Sequence, residues 1–115
     1  MSRGQEKKAA HGIDYRHPND SKVELTELVL PRHTHPFGSE ADTCSGGQIM
    51  CWMDTAAGIA AKRHCRQHVV TVSFDDIHFR ASARLGEIVS VNARVNKAFN
   101  TSMEVGIVVF VILIF

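Results

Sequence analysis

Asp54 stands where a carboxylate is unusual. On a helix its neighbours three or four positions away are Met50, Cys51, Ala57 and Gly58, with Gly47 and Ala61 seven positions off. An acid on such a small, apolar stripe is costly to bury alone, so it calls for hydrogen-bond donors, a shifted pKa or a cleft to face. Small neighbours leave space for a ligand. At the start of the same helix, Gly46 and Gly47 offer bare backbone, where a ligand reaches free N–H groups at the positive end of the dipole. A carbonyl placed there is polarised. The competing reading is a solvated helix aspartate, or one bonded to a neighbouring strand, and periodicity does not choose between them.

Other chemistry-bearing groups carry weaker signals. His33-Thr34-His35 and the run His64-Cys65-Arg66-Gln67-His68 contain metal-capable side chains, but neither has three or four ligands at a recognised spacing, and the expectation is no metal site. Lys62, Arg63 and Arg66 are placed to complement a helix C-terminus rather than to trap a phosphate. Cys44, Cys51 and Cys65 form an odd set without a CxxC pair, and two of them fall within the helical pattern, where small buried thiols are common.

The elements that must position Asp54 follow from pattern. Residues 1–22 are polar and lack a run able to bury apolar surface, so they read as a flexible tail, with the domain spanning 23–115. Val23-Glu24-Leu25 and Leu28-Val29-Leu30 form a short extended element stopped by Pro31, which cannot donate to a sheet ladder. Ser45-Gly46-Gly47-Gln48 has capping-box spacing. Ile49, Met50, Met53, Ala56, Ala57, Ala60 and Ala61 then recur at helical spacing, and the helix is predicted to end near Cys65. From Val69 the period becomes two, with Val70, Val72 and Phe74 alternating against Thr71, Ser73 and Asp75, and Ile77 and Phe79 continuing the apolar set. A second strand after Gly86 turns Val89, Val91, Ala93 and Val95 to one face, and a turn at Asn100-Thr101-Ser102 leads into a third. The layout predicts an α+β domain, an antiparallel sheet wrapped around one central helix.

Composition sets outer bounds. The 115 residues hold one domain, 44% hydrophobic and 22% charged, with a formal net charge of +1 spread along the chain. No field of one sign is present to attract nucleic acid. The N-terminus has no apolar stretch for a secretory signal, and with unpaired cysteines this points to a reducing cytoplasm. Residues 107–115 are uniformly apolar, but about 13 Å of helix does not cross a bilayer core of roughly 30 Å. They read as a buried strand whose free edge is prone to aggregation, as in a truncated or alternatively spliced product.

Four segments carry a family resemblance: Leu28-Val29-Leu30-Pro31-Arg32-His33-Thr34, Gly47-Gln48-Ile49-Met50-Cys51-Trp52-Met53-Asp54-Thr55-Ala56-Ala57, Ser73-Phe74-Asp75-Asp76-Ile77-His78-Phe79 and Asn96-Lys97-Ala98-Phe99-Asn100-Thr101-Ser102-Met103-Glu104-Val105-Gly106. In this order they resemble the first hotdog domain of the cytosolic acyl-CoA thioesterases that carry two hotdog domains and a C-terminal START lipid-binding domain, especially the brown-fat-inducible type. The resemblance covers residues 15–108.

It implies a hotdog fold, here lacking its last strand or strands, and hydrolysis of acyl-CoA to a free carboxylic acid and CoA. It also implies active sites between two hotdog units, from a homo-oligomer or a second hotdog domain. Asp54 becomes the general base on water, or a nucleophile, and the amides near Gly46 and Gly47 stabilise the oxyanion. CoA contacts carry over to Val72, Ser73, Phe74, Thr101, Ser102 and Met103. No cofactor is implied, because CoA is part of the substrate. The family's first loop commonly reads His-x-Asn, with the asparagine as second polar group of the site; His35 stands in that place, and the loop 36–44 is longer than the usual pattern. Two other classes stay open: an inactive subunit that pairs with a complete thioesterase through its helix and sheet edge, and a dehydratase-type hotdog acting on enoyl-CoA.

Overall fold

The computed structural model describes residues 21–39, 41–65, 67–71, 73–74, 77 and 82–112. Among them three strands form one antiparallel sheet in the order β1-β2-β3, with β1 at Val23–Leu28, β2 at Ile88–Ala98 and β3 at Met103–Ile112. A single helix, α1, spans Gly46–Cys65 and packs against all three strands. This is the predicted α+β hotdog arrangement of sheet and central helix.

The alternation in β2 decides which face of the sheet becomes the core. Val89, Val91, Ala93 and Val95 are all buried, and the first three cluster with Ile49, Trp52, Ala56 and Ala60 of α1. Ala56 and Ala60 have no exposed surface at all. Side chains no larger than a methyl let the helix axis approach the sheet closely, and the valines fill the remaining space. The expected helical stripe is thus correct at Ile49, Ala56, Ala60 and Ala61, whereas Met50 and Ala57 lie at its margin and the larger ring of Trp52 takes a core position.

Register extends the pattern across the sheet. Val91 pairs with Leu25 on one side and Val109 on the other, so Leu25, Ile107, Val109 and Val111 face the helix with β2. A bulge between Val95 and Lys97 shifts the β2–β3 ladder near its turn. On the opposite face Val108, Phe110 and Ile112 remain about half exposed.

Capping fixes where α1 begins. The Ser45 hydroxyl accepts the Gln48 N–H at 3.1 Å, as the capping box predicts. The Ser45 N–H, which the glutamine side chain takes in a full box, donates instead to the His33 carbonyl at 2.9 Å. The cap therefore also ties α1 to the 3-10 turn Pro31–His33 that follows β1.

Two expectations change. Ser21, in the segment read as tail, is fully buried, and its hydroxyl accepts the Val95 N–H at 3.1 Å. Order therefore begins no later than Ser21, and residues 1–20 lie outside the described residues. The second change concerns the strand expected from Val69. Its described residues, Val69, Val70, Thr71, Ser73, Phe74 and Ile77, belong to no strand, and Val70 is 87% exposed. Val72, Asp75, Asp76, His78 and Phe79 lie outside the described residues. Alternating residues define two faces, but a strand also needs a neighbouring edge to bond.

Enlarging the helix–sheet contact tests this packing. Ala60→Leu is expected to destabilise the chain by about 1–3 kcal/mol, read as a lower midpoint in urea unfolding at unchanged m-value.

Candidate active site

Asp54 lies on the face of α1 turned away from the sheet. The 3.6-residue period that buries Ile49, Trp52, Ala56 and Ala60 leaves Gly47, Cys51, Asp54 and Thr55 exposed. Asp54 does have a donor: the Thr71 hydroxyl donates to its Oδ1. The first described residues after α1 thus run back beside the helix and engage the acid with a side chain rather than a ladder. Oδ2 has no hydrogen-bond partner among the described residues. Thr71 was missed in the sequence because it was read only as the polar half of an alternating strand; threonine's donor, 17 positions from Asp54, was the available signal.

At the N-terminus of α1, the serine cap takes the Gln48 amide and leaves the Gly46 and Gly47 amides without a partner among the described residues. A Cβ added at Gly47 would meet nothing within 4 Å among the described residues. Gly47 and Asp54 are seven residues apart on one helix, which separates their backbones by about 10 Å. A base within roughly 3 Å of its water and amides within roughly 3 Å of the same carbonyl oxygen do not span that gap. The acid and the amides of one chain therefore do not meet on one bond.

His35 is half-buried, and its N–H donates to the Thr43 carbonyl at 3.1 Å. Thr34 bridges to Cys44 beside it. These contacts close the base of the loop, which turns at Gly38 with φ of 87° and at the Ala41 N–H bond to the Gly38 carbonyl. Of the residues assigned to CoA, Ser73, Phe74, Thr101 and Ser102 are exposed and Met103 is half-buried at the start of β3. Val72 lies outside the described residues.

The remaining candidates have structural explanations. His33 is buried against Trp52, and Arg63 Nη1 donates to the Lys22 carbonyl at 3.2 Å. His64 is buried on the core stripe, with Nδ1 unpartnered among the described residues. No three His, Cys, Asp or Glu side chains gather among the described residues, and no helix there is long and apolar enough to cross a membrane.

Comparison with known proteins gives this geometry a family. Residues 41–111 match the Thioesterase superfamily. The chain is 45% identical over 98 residues to acyl-coenzyme A thioesterase 11 of Mus musculus, an alignment covering 85% of this chain and 16% of that protein. It thus spans about a sixth of that curated relative. The acyl-CoA hydrolase of Staphylococcus aureus, solved with butyryl-CoA, CoA and CoA disulfide, superposes with a TM-score of 0.77 at 30% identity, over 84% of this chain and 56% of that one. Structures of that hydrolase also carry single alanine replacements of an aspartate, a threonine and an asparagine, the first two 17 positions apart, like Asp54 and Thr71. A hexameric thioesterase of Yersinia pestis matches with a TM-score of 0.72 at 31% identity, over 85% of this chain and 77% of that one.

Thiol reactivity reports directly on the two faces of the helix. Burial pushes the Cys44 thiol above its ordinary value, so less of it is thiolate at neutral pH, whereas Cys51 is exposed. In the folded chain a small disulfide reagent is expected to label Cys51 first, with Cys44 and Cys65 reacting only after denaturant is added, as counted by mass spectrometry.

With its core stripe on the sheet, its acid on the outer stripe and its match across most of the domain, the chain belongs to the thioesterase superfamily and has the hotdog fold.

Proposed function

We propose that this chain is an acyl-CoA thioesterase domain in which Asp54 activates water. The observation that carries the reading is Asp54 on an exposed, small-residue face of α1, oriented by the Thr71 hydroxyl and with no partner at Oδ2 among the described residues. Asp54 takes a proton from water as the oxygen attacks the thioester carbonyl. The negative charge that develops is held by helix N-terminal amides of the Gly46 and Gly47 type. Collapse of the intermediate breaks the carbon–sulfur bond, and the proton passes to the departing CoA thiolate, giving carboxylic acid and CoA. CoA arrives with the substrate, and no further cofactor enters the reaction.

The 10 Å separation within one helix, estimated from helical rise, gives the partner its role. Two hotdog units with antiparallel helices bring Asp54 of one unit to the amides of the other, and His35 faces the same junction. The hexameric state of the Yersinia pestis thioesterase supports assembly of this kind. CoA then runs along Val72, Ser73 and Phe74 and the turn at Thr101, Ser102 and Met103. The small share of the mouse relative that is covered supports a place as the first hotdog of a longer thioesterase with a second hotdog and a START domain.

The exposed row Val108, Phe110 and Ile112 favours a second reading, an inactive subunit that pairs with a complete thioesterase. Hydrolysis of butyryl-CoA by the 115-residue chain separates the two. Asp54→Asn is expected to lower kcat by about 10²–10⁴-fold. Thr71→Val, which keeps the shape and removes the donor, is expected to lower it about tenfold by loosening the base. Equal rates for the parent and a folded Asp54→Asn chain reject the assigned base; no hydrolysis by a folded, associated parent favours the second reading.

A further inference from the structure

His33 joins three parts of the site through its backbone and one buried side chain. It closes the 3-10 turn Pro31–His33 and is only 6% exposed. Its N–H donates to the Leu30 carbonyl at 2.8 Å, while its Nδ1 accepts the Leu30 N–H at 3.0 Å. Its own carbonyl accepts the Ser45 N–H that caps α1, and its ring meets Trp52 edge-on with centroids 4.9 Å apart.

Each of these contacts leads to a different group of the site. Ser45 directly precedes the Gly46 and Gly47 amides. His35 is two residues beyond His33. Trp52 is two residues before Asp54, on the opposite, core face of the same helix. The imidazole holds the turn through Leu30 and the helix through Trp52, and the backbone carbonyl of the same residue holds the start of α1 through Ser45.

We propose that His33 is a positioning residue for acyl-CoA hydrolysis: an imidazole with an unprotonated Nδ1 that sets the His35 loop and the Gly46–Gly47 amides against the helix bearing Asp54. The proposal rests on the thioesterase reading for its rate effect, but the pin itself does not. The tautomer follows from hydrogen-bond polarity. The Leu30 N–H is a donor, so Nδ1 must present its lone pair, and the neutral ring carries its proton on Nε2. An apolar ring of similar size keeps a contact with Trp52 but leaves the Leu30 N–H without its acceptor. A carboxamide of the right reach returns the acceptor without the ring.

Long-range proton–nitrogen NMR on the 115-residue chain at neutral pH reads the tautomer. The expected result is an unprotonated His33 Nδ1; a proton on Nδ1 overturns the proposal. His33→Phe is expected to accelerate amide exchange at Leu30 and Ser45, and to lower kcat for butyryl-CoA about tenfold with KM within about twofold. His33→Asn is expected to restore slow exchange at Leu30 and most of kcat. Unchanged exchange in His33→Phe overturns the proposal, as does failure of His33→Asn to slow exchange at Leu30; if His33→Phe does not fold, the tautomer and the asparagine variant decide. If Asp54→Asn hydrolyses butyryl-CoA as fast as the parent, the thioesterase mechanism falls while the tautomer and exchange still judge the pin.

Discussion

Close approach of α1 to the sheet is the constraint from which the rest of the structure follows. Ala56 and Ala60 are completely covered, and the β2 valines beside them are equally buried. A helix seated this closely has its rotation set by packing, since turning it by one position brings Thr55 and Ile59 to the sheet in place of Ala56 and Ala60. With rotation set, the residues on the far side are set as well. Gly47, Cys51 and Asp54 face outward because Ile49, Trp52, Ala56 and Ala60 face inward.

Function is thereby divided between the two faces of one helix. The inner face contributes the hydrophobic stabilisation of the domain, and the outer face carries the acid and the open amides. Neither the amides nor the acid contributes to the core, and the helix itself keeps them about two turns apart. A second helix is the simplest complement to such a face. The cap links these roles: Ser45 spends its hydroxyl on Gln48 and its N–H on His33, and the two glycine amides between remain open.

The loop from β1 to α1 is held at its base by hydrogen bonds. Thr34 and Cys44 bridge at its base, and the Cys44 N–H reaches the Ala83 carbonyl at 2.7 Å, which ties the stem to the approach to β2. On that approach, Gly86 with φ of 86° permits the turn in which its N–H reaches the Val29 carbonyl. His35 stays at this stem, where its N–H is held by the Thr43 carbonyl.

Local patterns in the chain determined the strands β1, β2 and β3, the limits of α1 and its serine cap, because periodicity and capping depend on residues within a turn or a pleat of one another. Asp54 stood out for the same reason, as an acid on a small-residue helical stripe. Tertiary structure alone decided that Ser21 is buried under β2, that His33 pins the loop to Trp52, and that Thr71 bonds Asp54. It also decided that the described residues from Val69 to Ile77 lie outside the sheet. Their alternation states which side chains share a face, but pairing requires an edge supplied from elsewhere in the fold.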